Sequence, residues 1–174
     1  MKVIAFAASS STKSINKRLV TYATSLMEHV HVEILDLNDY EMPLFSEDKE
    51  KVLGHHELAR QFLVKIAESD AIIISFAEHN GSYSAAYKNL FDWCSRINQK
   101  VFQKKPMVLL STSPGPRGAA TVLAAATNSA PFFDGDVKAS LSIPSFYDNF
   151  DVDNEIISND EILEQLKSAV ASLL

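Results

Sequence analysis

Uninterrupted apolar runs alternate along the chain with stretches whose apolar residues recur every three or four positions. "KVIAFAA" (2–8) is one such run, the pattern of a strand buried on both faces. A small polar cluster, "SSSTKS" (9–14), follows it. From there Ile15, Leu19, Tyr22, Leu26, Met27 and Val30 keep helical spacing and form one stripe. "HVEILDL" (31–37) alternates as a second strand, and 38–49 is irregular. A helix is predicted over 51–67, with Leu58, Phe62, Leu63 and Ile66 on one side. "AIIISF" (71–76), "MVLLST" (107–112) and "VKASLSI" (137–143) complete a set of five strands, with helices expected at 83–97 and 119–129 between them. The last helix is expected to start at Ser158, with Glu161 three residues on, the spacing of a capping box. Its stripe is Ile162, Leu166, Ala169, Val170 and Leu173. Strands separated by helices predict an open, mostly parallel, doubly wound α/β sheet. No linker, repeat or low-complexity stretch divides residues 1–174, so one domain is expected.

Composition narrows the function classes. The chain has 174 residues, a net charge of −6 and a sequence pI near 5.3. Nucleic-acid binders carry basic patches, so that class is disfavoured. The sole cysteine, Cys94, excludes an intramolecular disulfide and fits a reducing cytosol. The apolar start "MKVIAFAASSS" is too short for a signal h-region followed by a cleavage site. No stretch reaches the roughly 18 apolar residues of a membrane span. The expectation is a cytoplasmic protein without a membrane partner.

The polar loops carry the candidate chemistry. In open α/β sheets ligands sit beyond the carboxyl ends of the strands. "SSSTKS", "AEHNGS" and "SPGPRG" follow the first, third and fourth strands. The first leads into a helix near Ser14 or Ile15, and hydroxyls beside unpaired amides at a helix start favour an anion. Serine is also a leading N-cap residue, so the same run reads equally as a cap and turn. Lys13 is either a phosphate partner or a solvated loop charge. There is no G-x-x-x-x-G-K-[ST], no G-x-G-x-x-G after the first strand and no G-x-S-x-G, so the corresponding nucleotide-binding loops and the hydrolase elbow have no support. His29, His31, His55 and His56 do not stand in zinc-ligand spacing, and no metal is expected.

"ASSSTKSINKRL" (8–19), "FAEHNGSYSAAYKNLFDW" (76–93) and "STSPGPRGAA" (111–120) resemble, in order, the three flavin-binding loops of the NADPH-dependent FMN reductase family. That resemblance covers nearly the whole chain. It implies a flavodoxin-like five-stranded parallel sheet with helices on both faces, FMN as cofactor and NADPH or NADH as co-substrate. It further implies ping-pong electron transfer to a flavin, a quinone or a similar small acceptor, and a homodimer or homotetramer. The first loop resembles G-S-x-R-x-x-S-x-N: Ser9, Ser14 and Asn16 match, Ala8 replaces the glycine, and Ser11 stands where arginine is common. By resemblance Ser9, Ser11, Ser14, Ile15 and Asn16 would hold the FMN phosphate, without the fixed bidentate cation that arginine supplies. The second loop resembles P-E-Y-N-G-S, here Ala77, Glu78, His79, Asn80, Gly81 and Ser82, and would run beside the isoalloxazine ring. The third resembles S-x-G-G-x-G-G: Ser113, Gly115 and Gly118 match, Pro114 and Arg117 fill the open positions, and Pro116 and Ala119 depart from glycine; Ser113, Pro114, Gly115, Arg117 and Gly118 would bind the flavin by that resemblance.

Gly81 would take positive φ where the backbone nears the ring, with Asn80 tolerating the same turn. Ser82 or Ser84 would cap the following helix. Ala86, Leu90 and Trp93 would dock that helix, with Phe91 beside them, and Lys88 and Asp92 stand in i,i+4 spacing. Tyr87, Leu90, Phe91 and Trp93 offer more apolar surface than one stripe needs, which is the residue-level argument for a partner copy. His79 is either a proton or hydrogen-bond donor at the ring or a steric replacement of tyrosine. Arg117 either meets a nicotinamide cofactor's phosphate or is solvated. The absence of a nucleophile–base pair fits chemistry carried by a cofactor. Two other readings remain: a flavodoxin-type electron carrier, and a non-enzymatic relative that has lost flavin.

Overall fold

The structure, a computed structural model, describes residues 1–174. Its elements in chain order are β1 (Lys2–Ala8), α1 (Ile15–Ser25), β2 (His31–Leu35), α2 (Glu47–Leu53), α3 (Glu57–Glu68) and β3 (Ala71–Phe76). A short hairpin β4 (Glu78–His79) and β5 (Ser82–Tyr83) precedes α4 (Ala85–Ile97). Then come β6 (Pro106–Thr112), α5 (Ala120–Ser129), β7 (Asp136–Ile143), a one-turn α6 (Phe146–Asn149), β8 (Phe150–Asp151), β9 (Ile156–Ile157) and α7 (Asp160–Ala171).

The main sheet is parallel, in the order β2-β1-β3-β6-β7. This is the expected doubly wound, flavodoxin-like arrangement. The central strands β1, β3 and β6 are apolar on both faces because helices cover both. One face packs α3, α4 and α5 around Phe62, Ile66, Leu90, Trp93 and Val122. The other packs α1 and α7 around Leu19, Val20, Leu166 and Val170. Parallel pairing of Ala8 with Phe76, Phe76 with Ser111 and Thr112 with Ile143 brings the carboxyl ends of four strands level. The loops that follow these strands therefore gather at one edge.

Several expected boundaries move, each for a local reason. The helix expected over 51–67 is two helices. Gly54, at φ +68°, ends α2, and His56 caps α3 by accepting from the Leu58 N–H. No residue of α2 is buried, so its apolar Val52 and Leu53 face outward. Helix α1 stops at Ser25; Met27 is buried beyond it and Val30 packs at the cluster's margin. Ser158 does not cap α7. Its N–H is bonded to the Asn149 carbonyl as the chain leaves β9, and Asn159 caps instead, its Oδ1 accepting from Glu161 and Ile162 N–H.

Helix α4 is capped by Ser84, whose Oγ accepts from Tyr87 N–H and donates to the Ala8 carbonyl at 2.8 Å. Its buried stripe is Tyr87, Leu90, Trp93 and Cys94; Ala86 stays partly exposed. Tyr87 replaces Ala86 in the stripe because its ring fills the space beside Phe76 and Tyr83. Trp93 is fully buried and its Nε1 donates to the Pro43 carbonyl. The large side chains read as surplus surface are thus mostly consumed inside the chain, and only Phe91 is left part-exposed. Lys88 and Asp92 form the expected ion pair. Burial pushes the Cys94 thiol up to about 12, so it stays protonated and is no nucleophile. No helix is long and apolar enough to cross a membrane.

Candidate functional site

The loops after β1, β3 and β6 meet in one cleft of about 280 Å³ at the carboxyl edge of the sheet. Ser9, Ser11, Ser14, Ile15 and Asn16 line it from the first loop, Ala77, Glu78 and His79 from the second, and Ser113 and Pro114 from the third. Lys13, Thr112 and Tyr147 complete the lining.

The first loop presents donors. The backbone N–H groups of Ile15 and Asn16 have no protein acceptor, as the first turn of a helix requires, and those of Thr12 and Lys13 in the loop before it have none either. Ser14 caps α1 by accepting from Lys17 N–H, and Ser9 Oγ accepts from Ser11 N–H. Lys13 makes no ion pair, whereas its neighbours on α1 are committed elsewhere: Lys17 to Asp36 and Arg18 to Glu155. The Lys17 hydrogen bond, with backbone and side-chain donation from Asn38, holds the Asp36 carboxyl below its ordinary value. Free amides, hydroxyls, the positive end of α1 and one unpaired lysine together suit a dianionic phosphate.

Asn16 does something the motif did not show. Its side chain is only 2% exposed as part of the residue. Oδ1 accepts from Ser75 Oγ at 2.8 Å and Thr112 N–H at 3.1 Å, and Nδ2 donates to the Thr112 carbonyl at 3.2 Å. The amide therefore ties α1 to the ends of β3 and β6, and what it offers the cleft is its backbone N–H.

The second loop is a two-residue hairpin turn. Asn80 at φ +53° and Gly81 at φ +74° both sit in the left-handed region, the geometry that closes a twisted hairpin. Asn80, Gly81 and Ser82 are exposed at its tip and do not line the cleft. Gly81 has no protein atom within 4 Å of where a Cβ would stand, so its requirement is conformational. Glu78 anchors the hairpin: its Oε2 accepts from Val122 N–H at 2.9 Å. That carboxylate supplies the cap that α5 lacks, since Ala119 at the N-cap position has φ +61° and no capping side chain.

In the third loop the glycines divide their work. A Cβ on Gly115 would meet nothing within 4 Å. Gly118 is buried at φ +56°, and a Cβ there would collide with Ser142 Oγ and stand 2.8 Å from the Ile143 carbonyl carbon and oxygen. Its own carbonyl accepts from Ser111 Oγ at 2.7 Å and Ser142 Oγ at 2.9 Å. Gly115, Arg117 and Gly118 lie outside the cleft lining. Arg117 is exposed and donates to Thr121 Oγ1.

Ser75, Ser111 and Thr112, which fasten the loops, were not singled out from the sequence. A signal existed: they are hydroxyl residues closing otherwise apolar runs, "AIIISF" and "MVLLST". Tyr147 had no such signal. A second cavity of about 210 Å³, between α4 and α5, is lined mostly by aromatic and apolar side chains such as Tyr83, Tyr87, Phe91 and Phe133. It lacks the free amides of the loop cleft.

The family model described as NADPH-dependent FMN reductase matches residues 1–144. An NAD(P)H-dependent FMN reductase of Pseudomonas aeruginosa is 30% identical over 121 residues, 69% of this chain and 64% of its own length. A 2-hydroxy-1,4-benzoquinone reductase of a Burkholderia species is 32% identical over 122 residues, with the same coverage of 69% and 64%. The chain thus spans just under two thirds of these two relatives. Among solved structures, the flavoenzyme NAD(P)H:(acceptor) oxidoreductase FerB of Paracoccus denitrificans superposes with a TM-score of 0.82 over 99% of this chain and 94% of its own, at 23% identity. At that identity the likeness concerns the fold.

Proposed function

This chain belongs to the NADPH-dependent FMN reductase family, and we propose that it acts as an FMN-dependent NAD(P)H oxidoreductase. Electrons pass from the reduced nicotinamide to a quinone or similar small acceptor. The observation that carries this reading is the convergence of the three loops on a cleft whose floor is the free-amide start of α1. The donor set fits a flavin's ribityl phosphate. Lys13, Ile15 and Asn16 would hold it through backbone N–H, with the Ser9 and Ser11 hydroxyls and the Lys13 ammonium beside them. The segments 77–82 and 113–118 would flank the ring. FMN, when bound, supplies the hydride chemistry. The protein's part is placement: Asn16, Ser84 and Glu78 hold the three loops in register. The cleft needs no nucleophile or metal for that task.

The test is a titration of FMN with purified protein, read as flavin fluorescence quenching, followed by steady-state NADPH and NADH oxidation with a quinone. The expected outcome is saturable quenching, turnover, and parallel double-reciprocal lines. Quenching without turnover would indicate an electron carrier, and no quenching at all a relative without flavin.

The same reading takes residues 1–174 as one domain, working in the cytoplasm as a homodimer or homotetramer. What supports assembly is the face beside the aromatic cavity, where Phe132 is 75% exposed next to Ala130 and Phe133 of its lining. Sedimentation at micromolar concentration is expected to show a dimer or larger; a monomer alone would overturn this part.

A further inference from the structure

The family model stops at residue 144, yet the cleft has a fourth side built just beyond it. Ser145 and Phe146 N–H donate to the carbonyls of Gly115 and Ser113, at 2.9 and 3.0 Å. The third loop is thereby clamped to the start of α6. Ser145 is held at φ +45°, a conformation that costs free energy and persists only where its surroundings impose it. They do so here. Phe146 is fully buried and stacks on Phe150, with centroids 4.7 Å apart and planes at 18°. It shares a core cluster with Leu19 and Val20 of α1, against which Ile15 also packs. Asn149 Nδ2 donates back to the Pro144 carbonyl at 2.9 Å. The turn is therefore fixed against α1, with Tyr147 and Asp148 exposed on it, and one of the two lines the cleft.

That residue is Tyr147. Its ring packs edge-on against Phe146 at 5.3 Å, it is 62% exposed, and it lines the cleft with Lys13, Ser14 and Ile15. Its hydroxyl has no protein partner. A tyrosine on a fixed turn with its hydroxyl unpaired is a ready donor. The first loop has Ser11 where the family commonly has arginine, leaving Lys13 as its one cation.

We propose that Tyr147 is a cofactor-binding residue whose hydroxyl donates to the FMN phosphate, closing the phosphate end of the cleft from β7's side. The proposal rests on the flavin reading above. The free amides at the start of α1 and the Tyr147 hydroxyl then hold the phosphate together, and the site depends less on a first-loop arginine.

The experiment compares FMN with riboflavin, which has the same ring and no phosphate, by fluorescence quenching on flavin-free wild type, Tyr147→Phe and Tyr147→Ala. Tyr147→Phe removes only the hydroxyl. It is expected to weaken FMN about tenfold, as for a lost hydrogen bond to a charged group, and to leave riboflavin unchanged. Tyr147→Ala should match it for FMN. Thermal melts of the flavin-free variants should coincide with wild type, since the side chain is exposed. FMN binding by Tyr147→Phe equal to wild type overturns the proposal. Equal weakening of both flavins also overturns it, by moving the contact to the ring. Wild type that binds neither flavin defeats the functional reading itself, and the proposal with it.

Discussion

Gly118→Ala is expected to destabilise the protein by about 3 kcal/mol, combining the cost of a left-handed φ in a residue with Cβ with overpacking. The added methyl meets backbone: the Ile143 carbonyl carbon and oxygen, 2.8 Å away, at the end of β7. Backbone inside a parallel sheet cannot swing aside as a side-chain tip can. The shift would also break the bonds from Ser111 and Ser142 to the Gly118 carbonyl and displace the third loop from the cleft. Gly81→Ala is the control. It shares the positive φ, at +74°, but has open space around the new Cβ, so about 1 kcal/mol is expected, from conformation alone. Chemical denaturation of the flavin-free proteins measures both. Equal losses in the two variants would show that the crowding at Gly118 relaxes freely and that φ alone sets the cost. The Gly81 turn keeps a separate expectation toward flavin. Gly81→Val should lower FMN affinity more than stability if the hairpin backbone runs along the ring.

The second large effect concerns Asn16. Asn16→Ala removes three hydrogen bonds and leaves the Thr112 N–H and C=O and the Ser75 hydroxyl buried without that partner. Each orphaned buried group costs about 1–3 kcal/mol, so a loss of about 3 kcal/mol is expected. For a chain of this size that corresponds to roughly 6–12 °C in Tm. The loss should appear in flavin-free protein, because the bonds are internal. FMN affinity should fall as well, since α1 is no longer pinned to β3 and β6. Asn16→Asp keeps an acceptor for Thr112 N–H but removes the donor to the Thr112 carbonyl and buries a charge, so it should be no milder. If Asn16→Ala melted like wild type and merely bound FMN less well, the side chain would be a phosphate ligand and the tie unimportant. Thermal melting and flavin titration on the same preparation decide between them.

Much of this molecule is legible in its sequence. The apolar runs of β1, β3 and β6 and the stripe of α7 follow from short-range periodicity, and the parallel sheet follows from the alternation of strands and helices. The carboxyl-end rule then placed the three polar loops on one edge. Helix ends are less legible. Asn159 and Ser158 are both competent caps, and the choice fell to a backbone bond from Ser158 to Asn149. Gly54 split one predicted helix in two because nothing local told a tolerated glycine from a terminating one.

What the sequence by itself determined is therefore the set of elements, their layering and the edge at which the three polar loops gather, because periodicity, caps and turn residues act over a few positions. Only the tertiary structure decided which groups stay free to meet a ligand. Asn16 is engaged by partners 59 and 96 residues away. Glu78 is engaged by a helix 44 residues on. Tyr147, from a segment with no motif, is brought to the cleft by a clamp on the third loop. A side chain's duty depends on which donors and acceptors the fold brings within about 3 Å of it, and those distances exist only once the strands have aligned.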